Sequence, residues 1–155
     1  MLESVRQKLL KHYSCEVKMD IREYTDYNDE EIRSLYDSVG WTAYTCDMPA
    51  LEKGYRNSLL IIAAYDNGRL VGIARAVGDG STIVFIQDIL VAPDKQRQGA
   101  GTALLKEMLT RYAHVRQIEL TTDSRPETKA FYKSLGFSEF SQIGCSGFMR
   151  YRMNP

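Results

Sequence analysis

The spacing of apolar and polar residues changes along the chain and predicts its elements. Apolar positions three and four residues apart predict helices over residues 2–12, 29–39, 49–57, 101–112 and 126–135. Alternating or continuous apolar runs predict strands over residues 16–24, 58–65, 69–77, 82–91, 116–121, 137–140 and 147–153. An antiparallel meander followed by a strand, a helix and a strand is typical of a mixed α/β sheet with helices on both faces.

Two polar segments predict tight turns within the meander. Residues 66–69 read Asp-Asn-Gly-Arg and residues 78–80 read Gly-Asp-Gly, and both patterns favour hairpins. The chain contains no repeat, linker or low-complexity tract. We therefore expect one domain over residues 1–155, with residues 1–14 forming a short helical extension.

The most informative segment follows the strand predicted over residues 82–91. Residues 91–104 read Val-Ala-Pro-Asp-Lys-Gln-Arg-Gln-Gly-Ala-Gly-Thr-Ala-Leu, so that Gly99 and Gly101 stand where a helix begins. The first N–H groups of a helix have no internal partner, and the helix dipole adds positive charge there. We predict a site for the phosphate or pyrophosphate of a cofactor, bound mainly by backbone, with Lys95 and Arg97 supplying mobile positive charge. The alternative is an ordinary strand-to-helix turn.

The pattern Gln96-x-x-Gly99-x-Gly101 resembles the acetyl-coenzyme A (acetyl-CoA) signature of the GNAT superfamily of N-acetyltransferases. Residues 130–137, Ala-Phe-Tyr-Lys-Ser-Leu-Gly-Phe, are similar to the C-terminal helix and following strand of that family. Residues 35–41, 56–58, 72–75 and 88–91 are similar to the plastid-type serotonin (arylalkylamine) acetyltransferase branch and its bacterial relatives. The resemblance implies a GNAT fold, a mixed and mostly antiparallel sheet of about seven strands that splay apart at the centre, with helices on both faces.

The resemblance also implies where acetyl-CoA binds. Its pantetheine chain follows the strand at Ile89, Leu90 and Val91, where a β-bulge frees a backbone amide to stabilise the oxyanion. The other implied cofactor-binding residues are Gln96, Arg97, Gln98, Gly99, Ala100, Gly101, Thr102 and Phe131. For Phe131, packing of its helix onto the sheet is the alternative.

Acetyl transfer from a thioester to an amine requires a base for the ammonium and an acid for the departing thiolate. Tyr132 matches the tyrosine that the family uses as the acid, and a phenol holds its proton at neutral pH. Asp88 is the candidate base, acting directly or through a water that Gln87 helps to hold. A carboxylate in an apolar strand is costly unless solvated or paired, so we expect it to face a wet cleft. A structural carboxylate and a packed tyrosine are the alternatives.

Three residues between the first two predicted helices are candidates for the acceptor pocket. Trp41, Tyr44 and Asp47 lie where members of the family line that pocket. An aromatic wall with an acid suits a cationic amine, such as an arylalkylamine or a polyamine. Core aromatics and a surface acid are the alternative.

The composition of the chain argues against several classes of binding partner. Lys and Arg number 20, as do Asp and Glu, and this zero net charge argues against binding to nucleic acids or anionic membranes. The longest apolar run, residues 59–64, is too short to span a membrane. Cys15, Cys46 and Cys145 show no paired spacing, which predicts free thiols, no metal site and a cytoplasmic location.

We therefore expect an acetyl-CoA-dependent N-acetyltransferase that acts on a primary amine, in a small molecule, by direct attack in a ternary complex. The resemblance also implies a homodimer. A longer acyl-CoA as donor, a protein or peptide amine as acceptor, and a catalytically silent acetyl-CoA sensor or protein-interaction domain are the alternatives.

Overall fold

The computed structural model describes residues 19–150, so the predicted helix of residues 2–12 and the 1–14 extension lie outside the described residues. Its strands are β1 (Asp20–Glu23), β2 (Leu60–Asp66), β3 (Arg69–Gly78), β4 (Ile83–Val91) and β5 (Gln117–Leu120). Its α-helices are α1 (Asp29–Ser38), α2 (Thr42–Thr45), α3 (Met48–Arg56), α4 (Ala100–Arg111) and α5 (Pro126–Ser134). Short 3₁₀ helices cover Pro93–Lys95 and Phe140–Ile143.

The strands form one sheet in the order β1-β2-β3-β4-β5, in which β5 alone runs parallel to its neighbour. This arrangement confirms the mixed α/β fold class. The predicted turn between β2 and β3 is also confirmed, since Asn67 (φ 50°) and Gly68 (φ 79°) are both left-handed, as a tight two-residue hairpin requires.

Helices pack on both faces of the sheet. A side chain at Gly72 in β3 would lie 3.1 Å from Leu104 of α4, so α4 covers the face to which residue 72 belongs. Arg75, three residues along, belongs to the other face and donates from Nη1 to the carbonyl of Gly54 in α3 at 3.3 Å. We call these the α4 face and the α1–α3 face. The buried residues of α4 and α1 form the core on the two sides: Leu104, Leu105 and Met108, and Ile32, Leu35 and Tyr36.

The β4 strand contains a β-bulge at Gln87. Arg75 pairs with Asp88 and Ala76 pairs with Ile86, so that Gln87 has no counterpart in β3. Paired residues share a face of the sheet. The bulge therefore places Asp88 on the α1–α3 face with Arg75, while Ile86 stays on the α4 face with Ala76.

The strands β4 and β5 part at the same point. Their parallel pairing begins at Ile83 and ends where Ile86 meets Leu120, the last residue of β5. Beyond it, residues 87–91 keep β3 on one side and have no partner strand among the described residues on the other. An edge of β4 therefore offers backbone N–H and C=O groups that no neighbouring strand pairs, beside an opening in the sheet.

The C-terminal hairpin predicted over residues 137–140 and 147–153 is wrong for the described residues. Phe140–Ile143 forms a 3₁₀ helix, and residues 144–150 contain no strand. The side chains of Glu139 and Gln142 cap this helix reciprocally, and the left-handed Gly144 (φ 74°) ends it. These local hydrogen bonds stabilise the 3₁₀ helix where the alternating sequence predicted a strand. The sheet of the described residues therefore has five strands instead of about seven.

Candidate active site

The start of α4 has the properties of an anion-binding site. Gly99 (φ 88°) precedes the helix, and the first helical hydrogen bond runs from the N–H of Ala103 to Gly99. The N–H groups of Ala100, Gly101 and Thr102 consequently have no helical partner, and the first turn contains no acidic residue. A Cβ at Gly99 would meet nothing within 4 Å, so the approach to these groups is open. The residues present therefore fit a pyrophosphate group.

The backbone before α4 is held in an unusual conformation. Arg97 has a φ of 60°, a left-handed value that costs a residue with a Cβ about 1–2 kcal/mol. Gly99, two residues further along, is left-handed as well, so the chain makes two left-handed steps just before α4. Strain of this kind persists where the surrounding structure enforces it, often at a ligand site.

Side-chain amides fasten this turn to neighbouring backbone. Gln96 Nε2 donates to the carbonyl of Val91 at 3.0 Å, and Gln98 Nε2 donates to that of Asp94 at 2.8 Å. The side chains of both glutamines, predicted as cofactor-binding residues, thus bind backbone carbonyls at the turn.

Two ion pairs join the same turn to the β2–β3 hairpin. Lys95 Nζ lies 2.5 Å from Asp66 Oδ2, and Arg69 Nη2 lies 2.5 Å from Asp94 Oδ2. The prediction that Lys95 supplies mobile charge is therefore wrong. Its ammonium compensates the carboxylate of Asp66, which is only 8% exposed and would be costly to bury alone.

Phe131 and Tyr132 bring α5 against the start of α4. A Cβ at Gly101 would lie 3.5 Å from Phe131 Cζ, and the ring centroids of Phe131 and Tyr132 are 5.1 Å apart. Tyr132 is buried and also packs edge-on against Phe137. Burial raises the pKa of Tyr132 above its ordinary value of 10.0, so the phenol keeps its proton at neutral pH.

Asp88 is buried on the α1–α3 face and is 1% exposed. Its Oδ2 accepts hydrogen bonds from Arg75 Nε at 2.5 Å and from the Tyr36 hydroxyl at 2.9 Å. Its Oδ1 is buried and has no hydrogen-bond partner among the described residues. The expected wet cleft is therefore wrong, and a counter-charge from Arg75 compensates the burial instead.

Sequence reasoning missed Arg75 and Tyr36 as members of this site. Burial opposes the charge of Arg75, but the charge and hydrogen bond of Asp88 outweigh it and raise the pKa of the guanidinium. Burial likewise raises the pKa of Tyr36, which stays a neutral donor. An arginine within the apolar run of residues 70–77 was the available signal, but pairing it with Asp88 requires the register across the bulge.

The candidate acceptor residues lie beside this cluster. Trp41 and Tyr44 stack with centroids 5.7 Å apart, and both meet Tyr36 edge-on, at 6.0 and 5.5 Å. Asp47 is exposed and accepts from the N–H of Ala50 at 3.0 Å, which caps α3. Trp41 and Tyr44 therefore pack on each other and on the tyrosine that binds Asp88, while their role in binding an acceptor stays a prediction.

The predicted residues fall into two groups on opposite faces. The α4 face and the start of α4 hold the anion site with Phe131 and Tyr132, and the α1–α3 face holds Asp88 with its aromatic neighbours. No contact of the described residues joins Asp88 to Tyr132, and the opening between β4 and β5 lies beside Asp88. The arrangement suits two ligands that enter from opposite faces and meet at this opening.

Residues 19–150 contain no group of three or more His, Cys, Asp or Glu side chains placed to hold a metal ion. In the same part of the chain, no helix has the length and apolar character needed to cross a membrane.

Comparison with known proteins identifies the family. The GNAT acetyltransferase domain matches residues 23–151. The uncharacterized N-acetyltransferase ycf52 of Pyropia yezoensis is 31% identical over 111 residues, 69% of this chain and 63% of the relative. The histone acetyltransferase TAP1 of Glycine max is 29% identical over 139 residues, 81% of this chain and 58% of the relative. The matched region thus spans about three fifths of these curated relatives.

Solved structures agree with this match. A GNAT-family acetyltransferase of Streptococcus pneumoniae superposes with a TM-score of 0.79 at 35% identity, over 88% of this chain and 99% of that chain. An aminoglycoside N-acetyltransferase in complex with CoA shares the fold, with a TM-score of 0.65 at 22% identity over 88% of this chain and 95% of that chain. Because the GNAT acetyltransferase domain matches residues 23–151, the chain belongs to the GNAT acetyltransferase family.

Proposed function

We propose that the protein transfers an acetyl group from acetyl-CoA to a primary amine of a small molecule, by direct attack in a ternary complex. The observation that carries the proposal is the coincidence of an open β4 edge with the unpaired N–H groups at the start of α4. An extended pantetheine chain can pair with such an edge while a pyrophosphate binds such a helix terminus. The related aminoglycoside N-acetyltransferase structure in complex with CoA supports the choice of cofactor.

Cofactor contacts are assigned by position. Ile89, Leu90 and Val91 lie on the open edge, and residues 96–102 surround the start of α4. The bulge at Gln87 comes two residues before the stretch from which we expect the oxyanion donor, and the backbone there has no partner strand toward β5. Phe131 borders the site at Gly101.

In the proposed reaction, Asp88 acts as the general base and Tyr132 as the general acid. Bound acetyl-CoA supplies the thioester. Asp88 accepts a proton from the ammonium group, and the freed nitrogen lone pair forms the new C–N bond. Tyr132 donates its proton to the sulfur as the C–S bond breaks, and a proton shed by the nitrogen returns to Tyr132 through solvent. Amide and free thiol are formed, with one net proton released.

The acceptor is proposed to be a cationic amine with an apolar or aromatic body. Trp41 and Tyr44 supply an aromatic surface next to the Tyr36–Asp88 pair, and Asp47 supplies an exposed carboxylate nearby. A second solved structure of that aminoglycoside N-acetyltransferase holds a bisubstrate analogue, an acetylated aminoglycoside joined to CoA. We also propose that the protein belongs to the serotonin (arylalkylamine) acetyltransferase branch, because the same aromatic surface and carboxylates suit an arylalkylamine.

The single-domain boundaries at residues 1–155 and the compartment are proposals as well. Cys46 and Cys145 are free and exposed, which favours a reducing compartment such as the cytoplasm. Some relatives carry the description chloroplastic in their names.

Thermal unfolding with added acetyl-CoA tests the cofactor site. At about 100 times its Kd the ligand adds about 2.7 kcal/mol, which corresponds to a rise in Tm of about 5–10 °C. Gly99→Glu should abolish the rise, because it adds a carboxylate and a side chain at a left-handed residue of the anion site. Gly144→Glu is the matched control, since Gly144 is also left-handed with open space around it.

Two results would contradict the proposal. One is the absence of any rise at millimolar acetyl-CoA with folded protein. The other is an equal loss of the rise in both glycine variants. A rise in Tm without thiol release in the presence of any amine would favour the sensor alternative.

A further inference from the structure

We propose that Arg75 and Tyr36 are positioning residues that hold Oδ2 of Asp88 and so reserve Oδ1 for the proton of the acceptor amine. The inference rests on the proposed function, because it deepens the role of Asp88 in that reaction. Neither the family match nor the relatives assign a role to Arg75 or Tyr36.

The hydrogen bonds of the Asp88 carboxylate are distributed unequally. Arg75 Nε, at 2.5 Å, and the Tyr36 hydroxyl, at 2.9 Å, both donate to Oδ2. Oδ1 is buried and lacks a partner among the described residues. An unsatisfied buried oxygen on an ionised group is costly, so its retention indicates that another molecule supplies the missing donor.

Both donors are themselves held in place. Arg75 Nη1 donates to the carbonyl of Gly54 and to Ser58 Oγ, at 3.3 and 3.2 Å. The Tyr55 hydroxyl donates to the Tyr36 hydroxyl at 3.0 Å, which leaves the Tyr36 proton for Asp88. The carboxylate is therefore fixed from β3, α1 and α3, and rotation that would exchange its two oxygens would break both bonds to Oδ2.

The charges around Asp88 leave it as the member of the cluster that exchanges a proton. Tyr36 from α1 and Tyr55 from α3 stay neutral, because burial raises the pKa of each. Arg75 from β3 stays charged, since Asp88 outweighs the effect of burial on the pKa of Arg75. Two donors occupy Oδ2, which leaves Oδ1 as the carboxylate oxygen that can accept a proton.

The site of Oδ1 is consistent with an incoming amine. Asp88 directly follows the bulge, where β5 has separated from β4, and it lies on the face opposite α4. A cofactor held at the start of α4 leaves the α1–α3 face for the acceptor. The donor that reaches Oδ1 from that face is either the ammonium or a water bound to it. It meets the Asp88 oxygen that has no hydrogen-bond partner among the described residues.

Tyr36→Phe tests the inference, because it removes one hydrogen bond to Oδ2 and retains the ring. We expect kcat/KM for the amine at pH 6 to fall about ten-fold. The Kd of acetyl-CoA should stay unchanged, because neither Tyr36 nor Asp88 lies at the start of α4. Tyr24→Phe is the control, since that buried hydroxyl accepts from the N–H of Asn28 and does not contact Asp88.

Two further variants separate positioning from packing. Arg75→Lys, which keeps the charge, should retain more activity than Arg75→Met, which leaves a buried carboxylate without a counter-charge and is expected to fold poorly. In an Asp88→Asn background, Tyr36→Phe should have no further effect on kcat/KM, because its partner charge is gone.

The outcomes distinguish the two proposals. If the wild-type protein releases thiol with an amine but Tyr36→Phe leaves kcat/KM unchanged, or lowers it equally with and without Asp88, the positioning role is overturned and the proposed reaction survives. If the wild-type protein releases no thiol with any amine of a panel that includes tyramine, spermidine and an aminoglycoside, both proposals are overturned.

Discussion

Burial acts in different ways on Tyr132 and Asp88, the two side chains proposed for catalysis. For Tyr132, loss of solvent raises the pKa and keeps the phenol protonated, which suits a proton donor to a thiolate. For Asp88, the same loss of solvent is compensated by the guanidinium of Arg75 at 2.5 Å. Apolar surroundings thus keep the proposed acid, Tyr132, neutral, whereas the proposed base, Asp88, is paired with the buried cation of Arg75.

Tyr132→Phe should lower kcat by about 10²- to 10⁴-fold, because the thiolate loses its proton donor. The Kd of acetyl-CoA should change little, since the ring and its contacts with Phe131 and Phe137 remain. Single-turnover thiol release and equilibrium titration with acetyl-CoA measure the two quantities. Tyr112→Phe, at the end of α4, is the control. An equal loss of affinity and rate would show that Tyr132 serves in packing.

Single residues could be predicted where their role depends on local sequence. Gly99 was predicted where a helix begins, because the apolar strand, the polar turn and the amphipathic helix around it all follow from neighbours in the chain. The ion pair of Lys95 with Asp66 was not predicted, because Asp66 comes close only when the β2–β3 hairpin packs beside the turn. Asp88 was recognised as unusual in an apolar strand, but its partner Arg75 lies across a sheet whose register the pattern does not specify.

At the scale of elements, the anion-binding turn depends on the hairpin behind it. The turn between β2 and β3 carries Asp66 and Arg69, which pair with Lys95 and Asp94 before the start of α4. The turn thereby gains two attachments outside its own backbone. Since Asp66 is buried while Asp94 is exposed, the pair with Lys95 should contribute more to stability.

Lys95→Met should destabilise the protein by about 1–3 kcal/mol, because it leaves the Asp66 carboxylate buried without its counter-charge. It should also raise the Kd of acetyl-CoA several-fold by loosening the turn. Urea unfolding and calorimetric titration provide the measurements. The double variant Asp66→Asn with Lys95→Met should recover part of the lost stability, and no recovery would argue against this coupling.

Glu139 fastens the segment after α5 to that helix. Its carboxylate lies 2.8 Å from Lys129 Nζ and 2.7 Å from Lys133 Nζ. These two hydrogen bonds lower the pKa of Glu139 from 4.5 to about 2. A lowered pKa in the folded state stabilises the fold above pH 4.5, and this contribution disappears as the pH falls toward 2.

Glu139→Gln should therefore lower the Tm slightly at pH 7 and leave it unchanged near pH 2, where the wild-type carboxyl is protonated too. The effect should shrink in high salt, because the pair is exposed. Calorimetric scans from pH 7 to pH 2 provide the test. A difference in Tm that is the same at every pH would exclude the charge as its cause.

Local sequence patterns predicted the positions of the helices better than those of the strands. The helix predicted from residue 29 begins there, and Asn28 caps it by accepting from the N–H of Glu31. The strands predicted after residue 136 failed because alternation shows which face would be apolar and not whether a partner edge exists. The bulge at Gln87 likewise leaves no mark on a run that reads as one continuous apolar strand.

At the scale of the whole molecule, the C-terminal part of the described chain presents an apolar surface to solvent. Ile143, Phe148 and Met149 are 60%, 97% and 73% exposed. Large apolar side chains that cluster at a surface often mark an interface. The homodimer implied by the family resemblance is proposed to use this segment.

Phe148→Ser should shift the protein toward the monomer and leave its Tm at low concentration unchanged, because the exposed ring makes little contact within the chain. Sedimentation equilibrium across a range of concentrations measures the change. Leu59→Ser, which alters another exposed apolar residue outside the segment, should not affect assembly. A wild-type protein that stays monomeric at every concentration would contradict the dimer.

The bulge at Gln87 separates what the fold requires of β4 from what the reaction requires. In a regular strand, residues 86 and 88 would point the same way, and here they do not because Gln87 is additional. A chain that lacked Gln87 could keep Ile86 opposite Ala76 and Asp88 opposite Arg75, with every side chain on its present face. Such a chain would retain its core and its buried ion pair while losing the irregular stretch of backbone at the opening. Gln87 behaves as an insertion that the fold tolerates and the proposed reaction uses, so relatives that lack it are expected to keep the architecture without the reaction.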